Sequence, residues 1–198
     1  MIRKMIAMCA LAVCCAIGIQ AQTGEASGKA QAVMIDPAKS FDALLNIFEG
    51  EMMGVVKEMP AEKYNFAPSQ TIFQESQKTD YLSPNNKGVR TFGQMVGHVA
   101  QANYSLASAI SGMKPDADVK AIGNLTDKDK LVAALQGSFD FAHKAIGTLT
   151  TQNAFEKVRG EQTRASMAGF IVAHGFDHYG QLVEYLRMNG MIPPASQK

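Results

Sequence analysis

Ten residues near the end of the chain, Ala173 to Leu182, read A-H-G-F-D-H-Y-G-Q-L and set two imidazoles four positions apart. On a helix such positions share one face a turn apart, so His174 and His178 can converge on a single point. Met167, Phe170, Ile171, Gln181 and Tyr185 fall on the same stripe, which predicts that the pair faces inward. Neutral imidazole nitrogen is a good ligand for divalent transition metals, and a helix fixes two such ligands before an ion arrives. A third ligand must come from another element. His98 is the other histidine expected on a helix at the edge of an inward face, beside the small residues Ala102, Ser105 and Ala109. Three imidazoles leave one or more positions open, as in a catalytic centre rather than a closed structural one. Asp177, about one turn past His174 at the edge of the stripe, is the nearest candidate general base, and Gln181 is placed to orient a ligand.

On spacing alone a second reading stands beside the first, in which His174 and His178 are core histidines satisfied by groups such as Gln181 and Tyr185. Asp177 is equally readable as an exposed helix carboxylate. His143 has no inward-facing histidine or carboxylate one turn away and reads as a surface or core-edge residue.

Four amphipathic helices are needed to position these residues. The first begins at Asp36-Pro37, a cap followed by proline at the first helical position. Its apolar stripe of Phe41, Leu44, Leu45, Phe48, Met52, Val55, Val56 and Met59 ends at Pro60, with Glu49, Glu51 and Lys57 on a solvated side. The stretch 61–90 loses helical period and collects Pro68, Pro84 and Gly88. It reads as a long, partly ordered loop over one end of the bundle, with Tyr64, Phe66 and Phe73 available to pin it, and as a candidate lid. Thr91-Phe92-Gly93-Gln94 has the form of a capping box and opens the second helix, whose stripe runs through Phe92, Val96, Val99, Leu106 and Ile110.

After a connection over 116–125, Thr126 to Asp129 caps a third helix with Leu131, Leu135, Phe139, Ala142, Ile146 and Leu149 on its buried face. A polar link over 150–163 leads to the fourth helix, from about Arg164 to Met188, closed by Gly190 and Pro193-Pro194. Without strand alternation, the pattern predicts an all-α four-helix bundle with a long loop between helices 1 and 2.

The chain has 198 residues. Its first part has the form of an export signal: Arg3 and Lys4, an apolar run to Ile19, and a small-residue exit at Ala21. The expected organisation is a cleaved signal at 1–21, a flexible leader at 22–35 and one domain at 36–198, periplasmic or secreted, with no stable membrane anchoring after cleavage. All three cysteines, Cys9, Cys14 and Cys15, lie in the signal, so the mature chain has no thiol nucleophile, thiolate metal site or disulfide. Removing Arg3 and Lys4 takes the formal charge from +1 to −1, and no stretch clusters Lys and Arg, so nucleic acid is excluded as a partner class.

Three motifs in order resemble the DinB-like family of four-helix-bundle proteins regarded as metalloenzymes. T-F-G-Q-M-V-G-H ends at His98, and H-G-F-D-H-Y-G-Q-L runs from His174 to Leu182. Met59-Pro60-Ala61-Glu62-Lys63-Tyr64 and Phe66-Ala67-Pro68 are similar to that family's link between its first two helices. The resemblance covers roughly Phe41 to Pro194. It implies one divalent metal ion, zinc or nickel most often, held by His98, His174 and His178, and an unknown small-molecule substrate. The wider family includes thiol-dependent S-transferases and a thiol-dependent isomerase. It also implies a homodimer through helix faces as one arrangement, although no apolar seam is evident in the residues expected to be exposed. Tyr179 stands where an arginine is frequent before G-Q, and the export signal sets this chain apart from users of cytosolic thiols. The alternative of a non-catalytic exported bundle that binds a metal or small ligand stands beside the enzyme reading.

Overall fold

The structure is a computed structural model that describes residues 34–68 and 89–198. The expected signal at 1–21, most of the leader at 22–35, and the part of the long loop containing Phe73 lie outside the described residues. Helix α1 spans Pro37–Glu58, α2 Phe92–Ser111, α3 Val119–Ile122, α4 Lys128–Ile146 and α5 Arg164–Met188. The four long helices form the all-α bundle that the apolar periodicity predicts. No helix among the described residues is long and apolar enough to cross a membrane.

Local chemistry sets the helix ends. The Asp36 carboxylate accepts from the Ala38 amide at 2.9 Å and Pro37 opens α1, as the sequence predicts. Thr91 and Gln94 close the expected capping box on α2: the threonine hydroxyl oxygen accepts from the Gln94 amide, and the Gln94 side-chain oxygen accepts from the Thr91 amide. A second such box, Thr163 with Ser166, starts α5. On α4 the cap is Asp127, with Thr126 just outside the helix. Past the end of α5, Gly190 takes φ +73°, a left-handed conformation that relieves the terminal carbonyls and strains any residue with a Cβ.

Around the bundle the neighbouring pairs are α1 with α4, α4 with α2, α2 with α5, and α5 with α1. The order is therefore α1, α4, α2, α5, and the chain crosses the bundle between α1 and α2 and again between α4 and α5. This arrangement, which periodicity does not encode, makes α2 and α5 neighbours and so brings their histidines together. Phe48, Phe92, Leu135, Phe139 and Ile171 are fully buried at the centre. Asn103 donates to the Ser138 hydroxyl at 3.1 Å, joining α2 to α4 inside this apolar core.

Three expectations are corrected. Leu44 is 46 % exposed and Phe41 only half-buried, whereas Met53 is buried. The stripe of α1 is centred on Leu45, Phe48, Met52 and Val56, and at 100° per residue Leu44 turns out of it. The connection over 116–125 contains the short helix α3, capped by Asp118. Within the polar link over 150–163 lies an antiparallel hairpin, β1 Lys157–Arg159 and β2 Gln162–Thr163, turning at Gly160 with φ +53°. Strands of three and two residues are too short to leave an alternation in the sequence.

Candidate metal centre

His98 stands on α2, and His174 and His178 stand one turn apart on α5. One ring nitrogen from each of the three lies within 4.8 Å of the others. The Nε2 atoms of His174 and His178 are 3.1 Å apart. Two imidazole nitrogens bound to one zinc ion at about 2.0–2.1 Å would sit roughly 3.0–3.4 Å from each other, so the pair already has the spacing of shared ligands. The His98 ring centroid is 4.8 Å from that of His178 and 5.2 Å from that of His174, which closes the triangle.

Aromatic packing from α1 and from the link ahead of α2 supports the α5 side of this triangle. Phe48 of α1 packs under α5, with its ring 5.4 Å from Phe176 and 5.2 Å from Phe139. Tyr185, two turns beyond His178, donates its hydroxyl to the Arg90 carbonyl at 2.9 Å and meets Phe66 edge-on. Tyr64 donates to the Val56 carbonyl at 2.6 Å, and the Gly93 and Phe92 amides donate to the Tyr64 and Phe66 carbonyls. Residues 64–66 thereby fix the entry to α2, six residues before His98. Tyr64 and Phe66 thus pin the link as the sequence predicts.

The Gln181 side-chain oxygen, an acceptor only, lies 3.3 Å from His178 Nδ1. The proton of His178 therefore sits on Nδ1, and Nε2 turns a lone pair toward the centre. His174 Nδ1 is buried and has no hydrogen-bond partner among the described residues, whichever of its ring nitrogens carries the proton. A divalent cation held by these histidines would take up the Nε2 lone pairs and fix the His174 proton on Nδ1. The donor set fits a divalent ion on this chemistry.

Electrostatics favour the same state. Burial, then the positive charge of Arg90 and the neighbouring imidazoles, push His98 down to about 4. Burial followed by the effect of His178 lowers His174. His178 is 4 % exposed, and burial lowers it despite the Gln181 bond and the Asp177 charge. Above the ordinary histidine range all three rings are neutral, the form that ligates metal.

Asp177, expected as a general base, has a side chain 63 % exposed and accepts from Gln181 Nε2 at 3.3 Å. It lies 3.9 Å from His178 Nδ1, on the ring edge turned away from the converging Nε2 atoms. In this arrangement the carboxylate backs the Gln181–His178 contact. Phe170, placed on the inward stripe by its spacing, is 50 % exposed and borders the centre with its ring 5.8 Å from that of His174.

His143 lies at the core edge, as its isolation on α4 suggests, but it is not unpaired. Its Nδ1 meets Asp42 at 2.5 Å and its Nε2 meets Glu49 at 2.8 Å, both carboxylates coming from α1. Glu49, read as solvated, also accepts from Gln136 at 2.7 Å. Sequence reasoning missed this cluster because its members are 94 and 101 residues apart. It missed Arg90 as well, for which only the position next to the α2 cap was a signal.

Fold and site together define a four-helix-bundle protein with a histidine triad between its second and last long helices. The family model of the DinB superfamily matches residues 45–182, a span that contains all three histidines, and the chain belongs to that superfamily. No curated protein matches the chain.

Proposed function

We propose that this DinB-superfamily domain is a metal-dependent enzyme whose resident ion is held by His98, His174 and His178, with zinc or nickel as the first candidates. The observation that carries the reading is the 3.1 Å separation of two Nε2 atoms, one of which is fixed as a lone pair by Gln181. When bound with an open position, such an ion acts as a Lewis acid that lowers the pKa of water or a thiol there. The chain's own residues do the rest. Gln181 holds the tautomer and orientation of His178, Asp177 anchors Gln181, and the Arg90 charge biases the centre toward anionic substrates. Export through residues 1–21 would separate the protein from cytosolic thiol cofactors, which favours water over a thiol as the activated group.

Loading the protein with cobalt(II) tests the openness of the centre, because its visible spectrum responds to ligand exchange. An enzyme centre with an open position shows a saturable spectral change on adding azide or a small thiolate. A spectrum indifferent to both, together with a large fall in Tm on chelation, would leave a non-catalytic clip between α2 and α5.

A further inference from the structure

A cavity of about 430 Å³ lies between the α2–α5 pair and the hairpin, lined by Leu106, Met167 and Phe170 from α2 and α5 and by Arg159, Glu161 and Gln162 from the hairpin. Phe170 belongs to both sites, since its ring also packs 5.8 Å from His174. Leu106 follows His98 by eight residues on the same face of α2, and Met167 precedes His174 by seven on α5. At 1.5 Å per residue the cavity is therefore centred roughly 10–12 Å along the α2–α5 groove from the histidines. Ala102, one turn from His98 on the way to Leu106, is small and partly exposed.

The walls are apolar on the helices and charged at the hairpin. Glu161 is held by Lys157 at 2.6 Å and the nearby Glu156 by Arg164 at 3.0 Å. Among the described residues Arg159 has no carboxylate within ion-pair distance, so the uncompensated charge on the cavity wall is positive. Apolar walls of this volume suit an aliphatic or aromatic body, and a guanidinium at one end suits a carboxylate.

We propose that this cavity binds an amphipathic carboxylate, with its anionic end at Arg159 and its apolar body laid over Leu106, Met167 and Phe170 toward His174. As a substrate subsite it rests on the enzyme reading above; as a binding site it does not.

The test is an NMR titration of the purified chain, metal-free, with acetate, butanoate, hexanoate and octanoate and with the matching alcohols, read at the Met167 methyl and the His174 ring. The expected result is a saturable Met167 shift, affinity rising about three- to fourfold per added methylene, and a His174 shift with octanoate but not with butanoate. Arg159→Gln is expected to weaken octanoate about fivefold and leave octanol within twofold, and Phe170→Asp, at a half-exposed position, to abolish both. Retention of these effects in a His174→Ala variant, read at Met167, keeps the cavity assignment whether or not the histidines hold metal. A Met167 methyl that does not move, an affinity flat in chain length, or an Arg159→Gln variant that treats acid and alcohol alike would overturn it. Octanoate binding that leaves the His174 ring of the unaltered chain unshifted would overturn the orientation toward the centre.

Discussion

Gly175 lies against the ring of Phe48 so closely that no side chain fits between them. A Cβ at Gly175 would overlap two atoms of that ring and come within 2.6 Å of a third. Phe48 is fully buried on α1, and Gly175 sits between the two histidines of α5. The contact sets how deeply the histidine-bearing turn seats in the bundle, so the geometry of the centre depends on a glycine that touches none of its ring nitrogens.

Gly175→Ala should therefore cost about 2–3 kcal/mol through overpacking, more than any gain in helix propensity returns. In a chain of this size that is a fall in Tm of about 5–10 °C. Adding Phe48→Leu should restore part of the loss, because the two residues share one space. Simple additivity of the two changes in thermal denaturation would contradict the account.

Gln181 and Asp177 make separable contributions. Gln181→Ala removes the acceptor that fixes the His178 proton on Nδ1 and should weaken metal binding about 10- to 100-fold in a chelator competition. Asp177→Asn keeps a partner for Gln181 and is largely exposed, so its effect should stay within a fewfold. Equal losses in the two variants would argue that the carboxylate faces the centre after all.

His143 gives the fold a pH dependence of its own. Burial works against the charged ring and is the largest single influence, but the hydrogen bonds and charges of Asp42 and Glu49 together outweigh it and raise the folded-state value. A raised value means stability fully present below the unfolded pKa of about 6.5 and lost as pH rises through the folded one. The three centre histidines are lowered and act in the opposite sense, losing stability as pH falls through about 6.5. Urea denaturation of the metal-free protein between pH 7 and 9 isolates His143. Stability should decline with pH, and His143→Gln should flatten that decline.

Much of the bundle could be read from the sequence because its signals are local. The α1 stripe from Leu45 to Met59, the Thr91–Gln94 box and the Arg164–Met188 helix each depend on residues a few positions apart, as does the His174–His178 pair. What could not be read depends on how the helices are arranged around the core. His143 meets Asp42 and Glu49 only because α4 neighbours α1, and Phe48 reaches Gly175 only because α1 neighbours α5. His98 could be nominated from its small neighbours and from the family pattern, but its distance to the α5 pair follows from the α2–α5 contact. The contact of Asp177 with Gln181 is local enough to read, one turn apart on α5, but which edge of the His178 ring it approaches depends on how that ring is turned.

The central claim is that His98, His174 and His178 hold one divalent ion. The most direct measurement is elemental analysis of protein purified without a histidine tag, compared with a His174→Ala, His178→Ala double variant. The account predicts about one ion per chain, absent from the variant, while both proteins keep the helical far-UV spectrum of the bundle. No bound ion in the unaltered protein even after incubation with zinc or nickel, or undiminished stoichiometric metal in the variant, would contradict it.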